Sequence, residues 1–425
     1  MKKYEIYKDS GLEWLGMVPK HWKLEKLKYQ FGLVTAPSES SYKIGLENIE
    51  SATGRFIKTD SDFEGDGIAF QPKDIIYGKL RPYLQKVWLA EFSGSAVGDF
   101  YVFRCNEGTY PTFMKYMLLS HNFTVEADGS TYGAKMPRVS CEFIGNLKWA
   151  MPPLSEQRTI ASYLDHKVGQ IDALISEKEK MVEDLKAYRS SLITETVTKG
   201  LDKEAEMKDS GVEWIGKIPA TWKSSKISRI YSDLGSGTTP DSNNNLYYKD
   251  EGFNWLQTGD LTDGYITETS KHISQLAIDE KHMRFYPVDS IVIAMYGATI
   301  GKVGYLKIET STNQACCVLP PSKKMDAMYM FYMMQASKEI LISNSIGGGQ
   351  PNISQSIIKE HIIPIPPLKI QKEIASYLHN KIGKIVSILS EQEHQLSDLK
   401  SYKFSLITEA VTGKIDLRDW QTKKS

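Results

Sequence analysis

Ile75 to Ala90 holds Lys79, Arg81 and Lys86 and no acid, with Tyr77 and Tyr83 set among them. Ser290 to Ile308 repeats the arrangement with Lys302 and Lys307, also without an acid, and with Tyr296, Thr299 and Tyr305. Ammonium and guanidinium groups neutralise phosphate oxygens, and a guanidinium such as that of Arg81 can fork onto a guanine edge. Two further segments carry related chemistry. Gly129 to Arg138 contains Lys135 and Arg138, and Gly347 to Ser354 contains Gln350 and Asn352. Glycine permits close backbone approach to a ligand, and Gln and Asn amides can pair with an adenine edge. The candidate contact residues are therefore Lys79, Arg81, Tyr83, Lys86, Lys135, Arg138, Tyr296, Thr299, Lys302, Gln350 and Asn352. The plain alternative is a solvated strand–turn–strand or a connecting loop.

Other routes to chemistry fail. Gly297-Ala298-Thr299-Ile300-Gly301-Lys302-Val303 has one residue too few between its glycines for a phosphate loop, and Val303 where Ser or Thr is required. There is no G-x-S-x-G, no H-E-x-x-H and no G-x-G-x-x-G after a strand. The eight histidines show no ligand spacing. No Asn-Pro-Pro-aromatic or Asp-Pro-Pro-aromatic run occurs, so the usual loop of an amino-methylating enzyme is missing. No catalytic residue, metal ligand or cofactor site is assigned to this chain.

The elements that position the candidate residues are announced by two interleaved repeats. Lys8-Asp9-Ser10-Gly11-Leu12-Glu13-Trp14-Leu15-Gly16, followed by Pro19 and Trp22-Lys23, returns as Lys208-Asp209-Ser210-Gly211-Val212-Glu213-Trp214-Ile215-Gly216, Pro219 and Trp222-Lys223. Pro152-Pro153-Leu154, Ile160-Ala161-Ser162-Tyr163-Leu164 and Ser191-Leu192-Ile193-Thr194-Glu195 return as Pro366-Pro367-Leu368, Ile374-Ala375-Ser376-Tyr377-Leu378 and Ser405-Leu406-Ile407-Thr408-Glu409. The intervening blocks, about 24–150 and 224–364, are far less alike. A simple drifting duplication would not confine divergence to them. The expected domains are 1–150, a lead-in segment and first block; 151–202, a first helical spacer; 203–364, the lead-in repeat and second block; and 365–425, a second helical spacer and tail.

Residues 155–198 and 369–412 carry apolar side chains in alternating steps of three and four, the seam of a coiled coil. The first seam is Val168, Ile171, Ile175, Val182, Leu185 and Leu192; the second is Ile382, Ile385, Leu389, Leu396, Leu399 and Leu406. Both break at matching polar positions, Lys178 with Gln392 and Arg189 with Lys403. Each helix would be about 60 Å long at 1.5 Å per residue. Ser155 is positioned to cap the first helix, Gly169 and Gly383 to mark a bend or close contact, and Gly200 and Gly413 to end the helices. Inside the blocks, Phe100–Phe103 and Ser290–Ile293 read as strands, Thr112–His121 and Met325–Ile342 as short helices.

Composition bounds the partners. The chain has 425 residues and a formal net charge of zero, so any nucleic-acid contact depends on local patches. No apolar run approaches the roughly 20 residues that span a bilayer, and Met1 to Glu5 does not open a secretion signal. The four cysteines, Cys105, Cys141, Cys316 and Cys317, form no C-x-x-C pair and read as reduced cytoplasmic thiols.

In its two lead-in motifs, its two Pro-Pro-Leu-x-x-Gln-x-x-Ile-Ala-Ser-Tyr-Leu runs and its two Ser-Leu-Ile-Thr-Glu endings, the chain resembles the specificity subunits of type I restriction–modification systems. The resemblance implies an α+β fold: two target recognition domains of mixed β-sheet with flanking helices, separated by two long helices packed as an antiparallel coiled coil with pseudo-two-fold symmetry. It implies a non-catalytic subunit whose blocks each read one half of an asymmetric bipartite site in double-stranded DNA. The helices would set the gap and dock two methyltransferase subunits, and restriction subunits would join them. S-adenosylmethionine, ATP and magnesium would belong to those partners. Two other readings stand beside it: a fused methyltransferase or nuclease, and a coiled-coil adaptor indifferent to DNA sequence.

Overall fold

The structure, a computed structural model, describes residues 2–345 and 351–421; Gln350 and the glycines before it lie outside the described residues. The chain divides into two compact units. One comprises Met1–Glu179 with Glu393–Ser425, the other Lys180–Gln392. Both long helices are continuous, Leu154–Lys199 and Leu368–Val411, and each contributes to both units.

In the first unit the lead-in motif forms a short antiparallel hairpin, Tyr7–Asp9 with Met17–Pro19. Asp9 Oδ1 accepts from Gly11 N at 2.9 Å, and Gly11 sits at φ 70°, a left-handed turn that glycine adopts without strain. The block is built on an antiparallel sheet ordered Phe31–Val34, Phe100–Cys105, Ile75–Gly78, Val87–Leu89. A smaller sheet, Lys43–Ile44, Gly94–Val97, Gly67–Phe70, contains one parallel pair. Lys23–Lys26 pairs with Lys148–Met151 and brings the two ends of the block together at the start of the first long helix. The core joins Trp22, Phe103, Phe113, Met117 and Trp149 to Ile160 and Leu164 of the first helix and to Leu406, Ile407 and Val411 of the second.

The second unit uses the same plan on a larger scale. Its hairpin is Met207–Asp209 with Lys217–Pro219, and its closing pair is Lys223–Lys226 with Ile362–Ile365. Between them lie two five-stranded sheets. One is centred on Ile291–Ala294. The other is ordered Tyr248–Lys249, His272–Ile273, Phe253–Leu256, Thr310–Thr312, Phe285–Tyr286.

Within the first unit the long helices run antiparallel. Lys403 Nζ meets Asp172 Oδ1 at 2.7 Å, Lys400 Nζ meets Glu179 Oε1 at 2.9 Å, and Lys178 Nζ donates to Gln395 Oε1 at 2.5 Å. Val168, Ile171, Ile175 and Leu406 are buried there, and Leu396 and Leu399 pack partly buried against them. In the second unit Val182, Ile382, Ile385 and Leu389 are buried, whereas Leu185 and Leu192 are half-buried and Ile193 and Val197 lie deeper. The polar seam position Lys403 is thus an ion pair inside the contact, while Arg189 Nη2 donates to Gln335 Oε1 at 3.4 Å and its buried Nε has no hydrogen-bond partner among the described residues.

Four expectations are corrected. The first helix begins at Leu154, so Ser155 lies inside it and does not cap it. A methyl group on Gly169 or Gly383 would meet nothing within 4 Å, so neither marks a close helix contact. The short helix expected at 112–121 is Pro111–Leu118, followed by a second one, His121–Gly129, because Ser120 interrupts the run. The helix expected at 325–342 is likewise divided at Ser337 into Ala327–Ala336 and Lys338–Ser343.

Gly200 and Gly413 follow the two helix ends with φ of 80° and 72°. A Cβ on Gly200 would lie 3.0 Å from the Trp222 ring, and one on Gly413 would lie 2.4 Å from Pro19. Each helix therefore ends against a lead-in segment: the first helix on the second segment, the second helix on the first.

Candidate nucleic-acid interface

In the first unit, backbone hydrogen bonds join the candidate segments. Val139 N donates to Lys79 O at 3.1 Å and Arg81 N to Pro137 O at 2.8 Å, while Tyr132 and Arg138 exchange a pair at 3.0 Å. Arg81 adopts φ 51° and Gln85 φ 49°, so the turn between them carries two non-glycine residues in the left-handed region. The Arg81, Tyr83, Tyr132 and Lys135 side chains are exposed along this edge.

Arg138 is fixed rather than free. Its Nε and Nη2 donate to the two Asp99 oxygens at 2.9 and 2.8 Å. Lys79 Nζ lies 3.7 Å from the same carboxylate and 5.3 Å from the Tyr101 ring centre. The Arg138 guanidinium holds the Asp99 carboxyl below the usual carboxylate range. Lys86 is different. Its ammonium donates to Leu46 O at 2.8 Å and Ile49 O at 2.7 Å, and burial lowers its pKa. It braces two loop carbonyls and does not join Arg81 and Lys135 at the edge.

The second unit builds the same junction. Met295 N donates to Ala315 O at 2.8 Å, and Ile353 N donates to Met295 O at 2.7 Å, which sets Asn352 beside Tyr296. The first unit's Lys79 N to Asp99 O and Val139 N to Lys79 O bonds have the same pattern. Ser140 and Ser354 then cap the next helices alike, accepting from Phe143 N and Ile357 N. By this correspondence Arg138 and Asn352 occupy matching places. Tyr296 and Asn352 are exposed, and Thr299 and Lys302 are half-exposed. Asp263, at φ 59°, accepts from Val303 N at 2.8 Å and steadies the end of this turn.

Sequence reasoning missed three positioning groups. Asp99 and Asp263 are single acids outside the basic runs and carry no sequence signal. The third was visible, because Gln157 and Gln371 stand at the same place in the Pro-Pro-Leu-x-x-Gln repeat. Gln157 Nε2 donates to Pro152 O, and its Oε1 accepts from Tyr110 N at the start of Pro111–Leu118. Gln371 does the same with Pro366 O and Asp326 N. Each glutamine ties its block to the first turn of a long helix. Among the described residues no group of three or more His, Cys, Asp or Glu side chains is placed to hold a metal ion.

Residues 219–398 match the type I restriction modification DNA specificity domain. The chain is 27% identical over 304 residues to the type I restriction enzyme MjaVIII specificity subunit of Methanocaldococcus jannaschii, covering 68% of this chain and 67% of that one. In sequence the chain is thus similar to specificity subunits of type I restriction–modification systems. It is 27% identical to the putative MjaX specificity subunit of the same organism, of which the match spans 60%. The match to the EcoBI specificity subunit of Escherichia coli is 22% identical over 82% of this chain and 75% of that subunit. The fold agrees. A chain solved in work on assembly and conformational transition of the type I R-M system superposes with a TM-score of 0.73 at 18% identity, over 94% of this chain and 99% of that one. The HsdS subunit from Thermoanaerobacter tengcongensis superposes at 0.50 and 17% identity, over 94% and 98%. No helix among the described residues is long and apolar enough to cross a membrane.

Proposed function

We propose that this chain is the DNA-reading subunit of a cytoplasmic type I restriction–modification complex. Each block reads one half of a bipartite site in double-stranded DNA, and the paired helices set the gap between the halves. The observation that carries this reading is the repeated junction. In two diverged blocks, segments far apart in sequence are bonded at one edge, where they present cationic, amide and aromatic groups. The side chains differ between the blocks, Arg138 standing where the second block has Asn352, while the two backbone bonds beside them, made by Lys79 and Val139 in one block and by Met295 and Ile353 in the other, are shared. A scaffold that is kept under side chains that vary suits two heads with different targets.

The chain itself is not the catalyst. Two methyltransferase subunits would dock on the helical spacers and restriction subunits would join them. S-adenosylmethionine, ATP and magnesium would be handled by those partners. Mapping methylated adenines genome-wide in cells with and without this chain tests the proposal. Loss of one bipartite motif with a fixed gap supports it, and an unchanged methylome refutes it.

A further inference from the structure

The second unit holds a cleft of about 730 Å³, lined among others by Tyr248, Lys249, Trp255, Gln257 and Lys271. It lies over the sheet formed by Tyr248–Lys249, His272–Ile273 and Phe253–Leu256. Its rim is firmly mounted. Trp255 N and Thr269 Oγ1 both donate to Lys271 O, at 3.1 and 2.9 Å, and Lys249 pairs in register with His272. The Lys249 and Lys271 side chains are exposed, and among the described residues no ion pair or hydrogen bond draws either ammonium back into the fold.

The cleft and the junction around Tyr296 share a wall. Gln314 N donates to Thr239 Oγ1 on the cleft side at 3.4 Å, and Asn313 N donates to Leu256 O at 3.0 Å. The next residue, Ala315, accepts from Met295 N at the foot of the Tyr296 turn. Three consecutive residues thus carry the cleft on one side and the reading edge on the other.

The first unit has a cleft in the matching place, and it differs in charge. Lys43–Ile44 pairs in parallel with Ser95 and Ala96 as Trp255 and Leu256 pair with Ser311 and Thr312. Gly45 N donates to Asn48 as Gln257 N donates to Asp260. This cleft is smaller, about 250 Å³, and Asp60 and Asp62 stand on its wall beside Lys43 and Lys58. Lys43 Nζ is bonded to Gly65 O at 3.0 Å. A phosphate there would meet two carboxylates and one untied ammonium. In the second cleft it would meet two untied ammonium groups, with Asp250 the acid on the lining.

We propose that Lys249 and Lys271 grip the phosphate backbone of the bound duplex beside the bases read at Tyr296 and Asn352, and that the first block makes no such grip. This rests on the reading-head function above. The test is a salt titration of DNA binding by the full chain assembled with its methyltransferase subunits. The probes are a fluorescent duplex carrying the motif recovered from the methylome and a scrambled duplex of the same length. Each phosphate contact contributes about −0.9 to the slope of log affinity against log salt. The Lys249→Gln/Lys271→Gln double variant is expected to reduce that slope by about two, because two contacts are lost. Lys43→Gln/Lys58→Gln is expected to leave it unchanged. Lys271→Glu alone should weaken binding further than Lys271→Gln, with an unaltered melting temperature as the folding control. A wild-type slope in the Lys249→Gln/Lys271→Gln variant, or equal losses in both double variants, overturns the inference. Equal wild-type binding to the two duplexes overturns the reading-head function instead.

Discussion

Gln157 and Gln371 make the same two hydrogen bonds in the two halves of the molecule. Each donates to a proline carbonyl five residues upstream at 2.9 Å and accepts from a block backbone N–H at 2.8 Å. Both side chains are buried. An apolar replacement would leave a buried donor and a buried acceptor unpaired, at about 1–3 kcal/mol each. Gln157→Leu and Gln371→Leu are therefore expected to lower stability by similar amounts, about 2 kcal/mol or more, read as shifts in the urea midpoint. An unshifted midpoint in either variant contradicts the clamp.

The Lys403–Asp172 pair lies within the helix contact, with 8% and 15% of the two side chains exposed. Removing one partner of a buried pair costs about 3–5 kcal/mol, while replacing both with apolar groups is often neutral. Asp172 keeps some solvent, so Lys403→Met is expected to cost about 2–3 kcal/mol. The Lys403→Met/Asp172→Leu double variant should recover most of that loss. Additive losses would show that the two residues act independently.

Arg81 and Lys86 should separate binding from stability. Arg81 is exposed at the edge proposed to read DNA, so Arg81→Ala is expected to weaken specific DNA binding by about 1–3 kcal/mol with an unchanged melting temperature. Lys86 holds the Leu46 and Ile49 carbonyls, so Lys86→Met should lower the melting temperature first. The reverse pattern would exchange their roles.

His361 gives the second unit a pH dependence. It stacks on Trp214 at 5.1 Å, its buried Nε2 has no hydrogen-bond partner among the described residues, and burial lowers its pKa from 6.5 to about 4. The unfolded chain binds the proton first on acidification. The contribution is fully present above about pH 6.5 and is lost as pH falls towards 4, by up to about 3 kcal/mol. Leu147 holds the matching place in the first unit, where its carbonyl accepts from Leu27 N as that of His361 accepts from Ile227 N. His361→Leu is expected to flatten the stability profile between pH 4 and 6.5. An unaltered profile assigns that dependence to other groups.

The long helices, their glycine ends and the divergence of the blocks were legible because they are periodic or repeated. The Gln157 and Gln371 clamp was present in the repeat and went unread, since a lone amide in a helix usually faces solvent. The inward turn of Lys86 was not legible. A lysine in a basic run gives no hint that carbonyls far upstream, at Leu46 and Ile49, will take its donors. The Asp99 hold on Arg138 was hidden for the same reason, because partners brought together by a sheet leave no local pattern. The split at Ser120 depended on a single residue inside a run that otherwise reads as helix.

In the proposed function two independent heads read one duplex at a spacing set by the helices. The decisive experiment replaces residues 24–150 with the corresponding block of a similar specificity subunit and maps methylated adenines. The predicted result is a motif with one new half, the other half retained and the gap preserved. A change in both halves, or a retained motif, would rule out independent heads.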